Sequence, residues 1–353
     1  MAEVVLAATG GFTNAGYEVT NVFLSGPVDS QLAKRFECRF VSYADVLVKH
    51  GRHAVVQKLR NMLRQEACDA VIAHRYHPCK FVVRAARGVP IQRKIAVFHG
   101  LGNFKRWRRK LFAWLFLRDW HFAGVSEAVV RDIRHNGAIF GTHKEVHHVS
   151  NGLDIKTIET AQLDREEARQ RLGLPPGDFI FGNIGRLSDS KNQKVLIAAY
   201  ARIADSLPPS RLVIIGEGRK EADLRSLIAT HGLQNRVLLM GFMPQAQRYI
   251  KAFDVFLFPS RSEAFGLALL EAMIARVPAI VSRVGGIREL VGHYPFTISP
   301  DDVQALASQM AAMVTKPAAE RDQLAGSLYA RAVEHFNVSR LEAAYLKIIG
   351  LPS

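Results

Sequence analysis

The chain has 353 residues, 48% of them apolar and 22% charged, enough for two cores of ordinary size. Its formal net charge of +15 is unevenly placed: residues 1–150 carry 23 Lys and Arg against 11 Asp and Glu, a balance of +12, and the remainder only +3. The three cysteines, Cys38, Cys68 and Cys79, form no C-x-x-C pair, which argues against a disulfide framework or zinc knuckle and makes a reducing cytoplasm the expected home.

The start lacks a basic segment followed by a long apolar one, and no apolar run approaches the ~20 residues of a spanning helix, so the expectation is a soluble or peripheral protein. A positive field on the first domain attracts polyanions. No nucleic-acid-reading motif accompanies it, which excludes nucleic acid and leaves an anionic membrane surface or an anionic acceptor as partner.

In chain order, residues 4–9 and 12–25 are ambiguous. Residues 70–74 and 94–99 read as strands, the second ending in His99-Gly100. The run 103–120 holds Lys105, Arg106, Trp107, Arg108, Arg109 and Lys110. Drawn as a helix, it puts Phe104, Trp107, Leu111, Trp114 and Leu115 on one face and cations on the other, the pattern of an interfacial helix. Phe112, Phe116 and Leu117 lie off that stripe, so the alternative is a helix whose second half packs into the core.

Residues 122–126 read as a strand, 127–134 as a helix, and 146–149 as a strand leading to Asn151-Gly152, the expected hinge. Beyond it 179–184, 212–215, 237–240, 255–258 and 279–281 are strands separated by helix-length periodicity, as a doubly wound parallel sheet requires. Ligands of such sheets bind outside the carboxyl ends of the strands.

The densest chemistry lies in Ser262-Glu263-Ala264-Phe265-Gly266-Leu267, followed by Glu271. The run 255–258 is closed by Pro259, and from Phe265 the apolar spacing becomes helical, with Leu267, Leu270, Met273 and Ile274 on one face. Glu263 then sits at a strand end and Glu271 about two turns into the following helix. Between them the free N–H groups of a first turn make an anion cradle. Two acceptors for sugar hydroxyls flank a phosphate site.

This stretch resembles the E-x7-E signature of the retaining glycosyltransferases of family 4. Gly185-Arg186-Leu187 with Lys191-Asn192 resembles that family's Gly-Arg-Leu…Lys-Asn segment. Further fragments in the same order are Asn151-Gly152-Leu153-Asp154, Ile214-Ile215-Gly216-Glu217-Gly218, Val237 through Phe242, and Val284-Gly285-Gly286-Ile287-Arg288-Glu289-Leu290. Arg276 stands where the family often has Gly.

The resemblance implies an α/β GT-B fold: two doubly wound Rossmann-like domains facing a cleft. Residues 1–150 would form the acceptor side, 151–332 the nucleotide-sugar side, and 333–353 a helix returning to the first domain. At the N-terminus Ala2 through Leu6 aligns with the start of the family's first helix and Gly16-Tyr17-Glu18-Val19 with its exit, so the first strand and glycine loop are expected to be missing. The alternative makes residues 3–8 that strand and Gly10-Gly11 that loop.

The implied activity is transfer of a sugar from a nucleotide-diphosphate sugar, UDP-sugar foremost, to a glycan or lipid-linked acceptor with retained anomeric configuration, in lipopolysaccharide core or other envelope polysaccharide synthesis. The implied catalytic set is Glu263, Arg186, Lys191 and His99. The donor-binding set is Gly185, Phe242, Phe265, Gly266, Leu267 and Glu271, with no metal or cofactor. Arg186 and Lys191 would neutralise the departing diphosphate, Glu263 bind donor-sugar hydroxyls, Glu271 the ribose, and His99 the sugar. For His99 the alternative is a packed hydrogen-bond partner at a strand end. A degenerate binding module, or an epimerase or phosphorylase on the same scaffold, is the runner-up.

Overall fold

The computed structural model describes residues 2–24, 38–137 and 145–350. They separate into two compact units, Met1–Leu153 with Asn337–Ser353, and Asp154–Phe336.

The first unit opens with helix α1 (Ala2–Asn14), then β1 (Thr20–Phe23) and β2 (Arg39–Ser42), paired in parallel. Helix α2 (Ala44–Gln65) buries Val55, Leu59 and Leu63, spaced by one turn each. It is followed by β3 (Ala70–His74), α3 (Tyr76–Ala85), β4 (Arg93–Phe98), α4 (Trp107–Phe116), β5 (His121–Gly124), α5 (Glu127–Gly137) and β6 (Val146–His148). Strands β3-β4-β5-β6 form a parallel sheet in sequence order. Ile95, Ala96, Val97 and Phe98 are all buried, the continuous apolar run of a strand covered on both faces.

The second unit runs α6 (Ile155–Ala161), α7 (Arg165–Arg171), β7 (Phe179–Ile184), α8 (Gln193–Ile203), β8 (Ser210–Ile215), α9 (Glu221–Thr230), β9 (Val237–Leu239), β10 (Val255–Phe258), α10 (Leu267–Ile274), β11 (Ala279–Ser282), α11 (Ile287–Val291), β12 (Thr297–Ile298), α12 (Val303–Thr315) and α13 (Ala318–His335). Asp154, Asp164 and Asp302 cap α6, α7 and α12 through their carboxylates. The six parallel strands lie in the order β12-β11-β10-β7-β8-β9. The order reverses between β7 and β10, which makes that boundary the topological switch point. Arg276, just beyond α10, has φ 56°. Its guanidinium lies 3.6 Å from the centroid of the Tyr329 ring, a cation–π contact made by a non-glycine residue in the left-handed region.

Helix α14 (Val338–Ile349) belongs to the first unit and packs on α1, with Phe12 and Tyr345 rings 6.0 Å apart. This packing explains Gly10-Gly11. Residues 2–14 are helical, which overturns the strand-and-loop alternative for the N-terminus. A Cβ on Gly11 would lie 2.5 Å from Glu342 Cβ, so the glycine serves a close helix–helix approach and no loop. At Gly152 a Cβ would lie 2.7 Å from the carbonyl oxygen of Asn337, where Val338 N–H donates to Leu153 O at 3.0 Å.

One buried ion pair anchors the second unit. Arg169, 4% exposed, donates to Asp254 Oδ2 at 2.7 Å, Ala252 O at 3.0 Å and Pro176 O at 2.6 Å. Asp254 Oδ2 also accepts from Ile180 N–H at 2.7 Å, and Asp254 Oδ1 from Arg165 at 2.5 Å. Burial lowers the basicity of Arg169 and the Asp254 carboxylate opposes that shift. Every strong partner is in place, so removing one leaves an uncompensated charge. Asp254→Ala is expected to cost about 3–5 kcal/mol of stability, read by urea unfolding; a loss under about 1 kcal/mol, the value of an exposed pair, would contradict this role.

Candidate functional site

The switch point brings two loops together, 185–192 after β7 and 259–266 after β10. Asn183 Nδ2 donates to Leu257 O at 2.7 Å and ties the two strands. Above them Arg261 N–H donates to Ser190 O at 2.8 Å, and the Arg261 guanidinium holds Asp301 through Nε and Nη2 at 2.6–2.9 Å. Asn192, at φ 60°, donates to Asp301 Oδ1 at 3.1 Å and to Pro259 O at 3.3 Å. The Arg261 hydrogen bonds hold the Asp301 carboxyl below its usual range. This clamp places Lys191 Nζ 2.5 Å from Glu263 Oε2, with the side chains 25% and 16% exposed. Ser260 Oγ donates to the same carboxylate oxygen at 3.4 Å, and Lys191 Nζ sits 4.9 Å from the Phe258 ring centroid.

The backbone beneath Glu263 is shaped by glycine. Gly286 N–H donates to Glu263 O at 3.0 Å. A Cβ on Gly285, at φ 48°, would fall 1.9 Å from Glu263 O, and one on Gly286 2.3 Å from Ala264 O. Gly266, at φ 106°, starts α10. Leu269 and Leu270 both donate to Gly266 O, so the N–H groups ahead of them fall outside the helical ladder, as first-turn donors do. Glu271 follows one turn after Leu267, and its carbonyl accepts from Gln162 Nε2 at 3.4 Å.

Among the residues singled out in the sequence, the structure brings Lys191 and Glu263 into contact and sets Gly185 beside the Lys191 stem, 3.8 Å from an added Cβ. Arg186 is exposed; its carbonyl accepts from Gln193 Nε2 at 3.0 Å, which fixes the backbone, and its guanidinium makes no ion pair among the described residues. Phe242, beyond β9, is 66% exposed. The Phe265 ring is buried against Phe336, centroids 5.7 Å apart, so Phe265 can offer a ligand only its backbone. Gly216 and Gly218 serve loop packing, since added Cβ atoms would lie 2.1 Å from Gly185 O and 2.2 Å from Leu187 O.

Sequence reasoning missed Ser260, Arg261 and Asp301. The signal was the pairing of Arg261 with an Asp 40 residues on, which no local periodicity encodes.

His99 belongs to the first unit and follows β4. His99 Nε2 and His74 Nδ1 are 3.0 Å apart, one ring donating and the other accepting. His99 Nδ1 is buried with no hydrogen-bond partner. Burial, with His74 and Arg75 adding to it, holds His99 well below the usual histidine range, and burial lowers His74 to about 4. Both rings are neutral near pH 7.

Helix α4 buries Phe112 and Ala113 and turns its wider apolar stripe outward. Trp107 is 67% exposed, and Leu111, Trp114 and Leu115 are exposed with it, whereas off-stripe Phe112 and Leu117 are buried. Phe104 departs from the expected stripe: it precedes α4 and is buried against Phe98, centroids 5.0 Å apart, and Phe122. No helix among the described residues is long and apolar enough to cross a membrane.

Residues 164–348 match the family model described as "Glycosyl transferases group 1", and residues 1–157 the one described as "Glycosyltransferase Family 4". The chain belongs to the group 1 glycosyl transferases. It is 29% identical over 202 residues to the 2-deoxystreptamine glucosyltransferase of Streptomyces kanamyceticus, covering 56% of this chain and 52% of that protein. It is 29% identical over 175 residues to the lipopolysaccharide core biosynthesis mannosyltransferase LpsB of Rhizobium meliloti (strain 1021), covering 47% and 50%. The chain thus spans about half the length of these curated relatives. The crystal structure of Anabaena Alr3699/HepE in complex with UDP and glucose superposes with a TM-score of 0.78 at 20% identity, covering 98% of this chain and 94% of that one. The fold is GT-B, with parallel sheets in two Rossmann-like domains.

Gly285→Ala forces a Cβ into Glu263 O at a positive φ and is expected to cost about 1–3 kcal/mol. Gly177→Ala, where nothing lies within 4 Å, is expected to change stability by less than about 1 kcal/mol. Equal urea midpoints for the two variants would show that the glycine does not seat Glu263.

Proposed function

We propose that this group 1 glycosyl transferase moves a sugar from a nucleotide-diphosphate sugar, with UDP-sugar as the favoured donor, to a glycan or lipid-linked acceptor, keeping the anomeric configuration, in lipopolysaccharide core or related envelope polysaccharide synthesis. The observation that carries the reading is the Lys191–Glu263 contact at the switch point, 2.5 Å long, set beside the first turn of α10. A cation, a carboxylate and unpaired N–H donors stand together at the carboxyl end of a parallel sheet, where a sugar diphosphate needs them.

Lys191 and Arg186 bind the diphosphate, and the N–H groups at Phe265–Leu267 add donors to the charge that grows as it departs. Glu263, holding Lys191 before the donor arrives, accepts sugar hydroxyls; Glu271 accepts those of the ribose. In the transfer step the anomeric carbon–diphosphate oxygen bond breaks, the acceptor oxygen bonds to that carbon on the same face, and the hydroxyl proton passes to a diphosphate oxygen. No enzymic nucleophile and no metal are required. In the first unit, neutral His99 at the end of β4 keeps Nδ1 free for a hydrogen bond to a sugar hydroxyl.

The exposed stripe of α4, Trp107, Leu111, Trp114 and Leu115 beside Lys105, Arg106 and Lys110, supports peripheral attachment to the inner face of the cytoplasmic membrane.

Glu271→Ala and Lys191→Ala are each expected to lower transfer by about 10²–10³-fold while leaving the thermal midpoint near that of the parent, assayed with a panel of UDP-, GDP- and ADP-sugars. Normal turnover in either variant removes it from the donor site. Transfer is also expected to persist in EDTA, since fixed cations and backbone donors supply the positive charge; activity lost on chelation and restored by Mg²⁺ or Mn²⁺ would contradict this mechanism.

A further inference from the structure

A second concave site lies in the first unit. Tyr76, His77 and Lys80 of α3 form one wall and residues 105–109 the other, around an open volume of about 690 Å³. Its place follows from the topology. Helix α3 begins two residues after β3 ends, and the 105–109 segment follows from the end of β4. The pocket is thus built from the connections that leave the carboxyl ends of two adjacent parallel strands, the edge where open α/β sheets bind ligands. Arg75, at φ 67°, makes the sharp exit from β3 that starts this wall.

The charge of the pocket is one-sided. Lys80, Lys105, Arg106, Arg108 and Arg109 line it with His77; among the described residues none of the five cations pairs with a carboxylate. Aromatic faces support the cations instead. Arg109 lies 4.7 Å and Lys80 5.4 Å from the Tyr76 ring centroid, and Arg108 5.5 Å from that of Trp107. Arg109 also donates to Asn103 O at 3.3 Å. Burial first, and then Arg52, Arg84 and Arg109, lowers the basicity of Lys80; His77 is lowered in the same way by burial and its cationic neighbours. The groups stand in an uncompensated positive potential that an anion would relieve.

We propose that this pocket binds a phosphate or diphosphate ester, and that the acceptor of the transferase is therefore a phosphate-bearing one. Five cations in one concavity outnumber the single charge of a carboxylate and match a polyanion. The guanidinium forks of Arg106, Arg108 and Arg109 suit paired phosphate oxygens, and the exposed Trp107 ring beside them offers an apolar surface to an attached sugar or prenyl stem. The binding claim stands on the pocket alone; its assignment to the acceptor rests on the transferase reading above.

The test titrates pyrophosphate into the full chain by calorimetry. Lys80→Gln/Arg106→Gln removes two charges inside the pocket; Lys110→Gln/Arg118→Gln removes two just outside it. The pocket variant is expected to lose at least about tenfold in affinity and the outer variant less than about threefold, the residue of long-range field. On the parent protein, pyrophosphate is expected to protect Lys80, and not Lys110, from acetylation by an activated ester, a readout that needs no variant to fold. Equal losses in the two variants, or no protection of Lys80 at millimolar pyrophosphate, overturns the proposal.

Vesicles of phosphatidylglycerol in phosphatidylcholine separate the sources: pocket-dependent sedimentation assigns the phosphate to a lipid-borne headgroup, and pyrophosphate binding without it assigns the phosphate to a soluble glycan. Pocket binding intact in a protein that transfers no sugar refutes the transferase reading and leaves this site standing.

Discussion

The contact of Lys191 with Glu263 is the point at which the constraints on the second unit converge. The two residues are 72 apart in sequence and 2.5 Å apart in space, which requires β7 and β10 to be neighbours although β8 and β9 intervene in the chain. It also requires the loop after β10 to approach the segment 284–286 more closely than any side chain at Gly285 or Gly286 would permit. The pair is half-buried, so its attraction is largely spent on desolvation and contributes little net stability. Its effect is geometric. Arg261, Asp301 and Asn192 hold the two loops in register from behind, so the charged pair is kept in place by a network that does not itself need the ligand.

How much of this was legible in the sequence depended on whether the signal was local. The strands of the second unit, the glycine turns and the acidic residues on either side of Phe265-Gly266-Leu267 carry local marks: apolar runs closed by Pro or Gly, then helical spacing. Strand β2 and the two-residue β12 carry none, because Arg39–Ser42 and Thr297–Ile298 are too short for periodicity to register. Arg261 and Asp301 were invisible for the same physical reason as any tertiary clamp, their meeting being decided by the sheet order. Gly10-Gly11 had a signal that pointed both ways, since a glycine pair fits a loop and a tight helix crossing equally well.

Helix α4 shows what periodicity leaves open. Spacing named one apolar face, but a helix with apolar residues on both sides offers the core a choice. The core took Phe112 and Leu117. Phe98, Phe104 and Phe122 already fill the space over the sheet with mutual edge and stacked contacts, and Arg84 from α3 covers the rings of Phe112 and Phe116 at 5.3 Å and 5.7 Å. The wide stripe with Trp107 and Trp114 was left outside. An exposed apolar stripe of this kind on a strongly basic unit costs solubility and gains nothing for the fold, so its explanation has to be sought in what the surface meets.

The same basic unit bears on the two histidines at its strand ends. A ring in a positive field resists taking up a proton, and burial resists it further, so His74 and His99 share one hydrogen bond as neutral partners. With Nε2 engaged by His74, the only polar atom His99 has left is Nδ1, which is buried and unsatisfied. An unpaired buried nitrogen costs free energy comparable to a lost hydrogen bond. That cost is what a hydroxyl or another neutral group arriving at the strand end would relieve, and burial in a positive field disfavours a charged imidazole there.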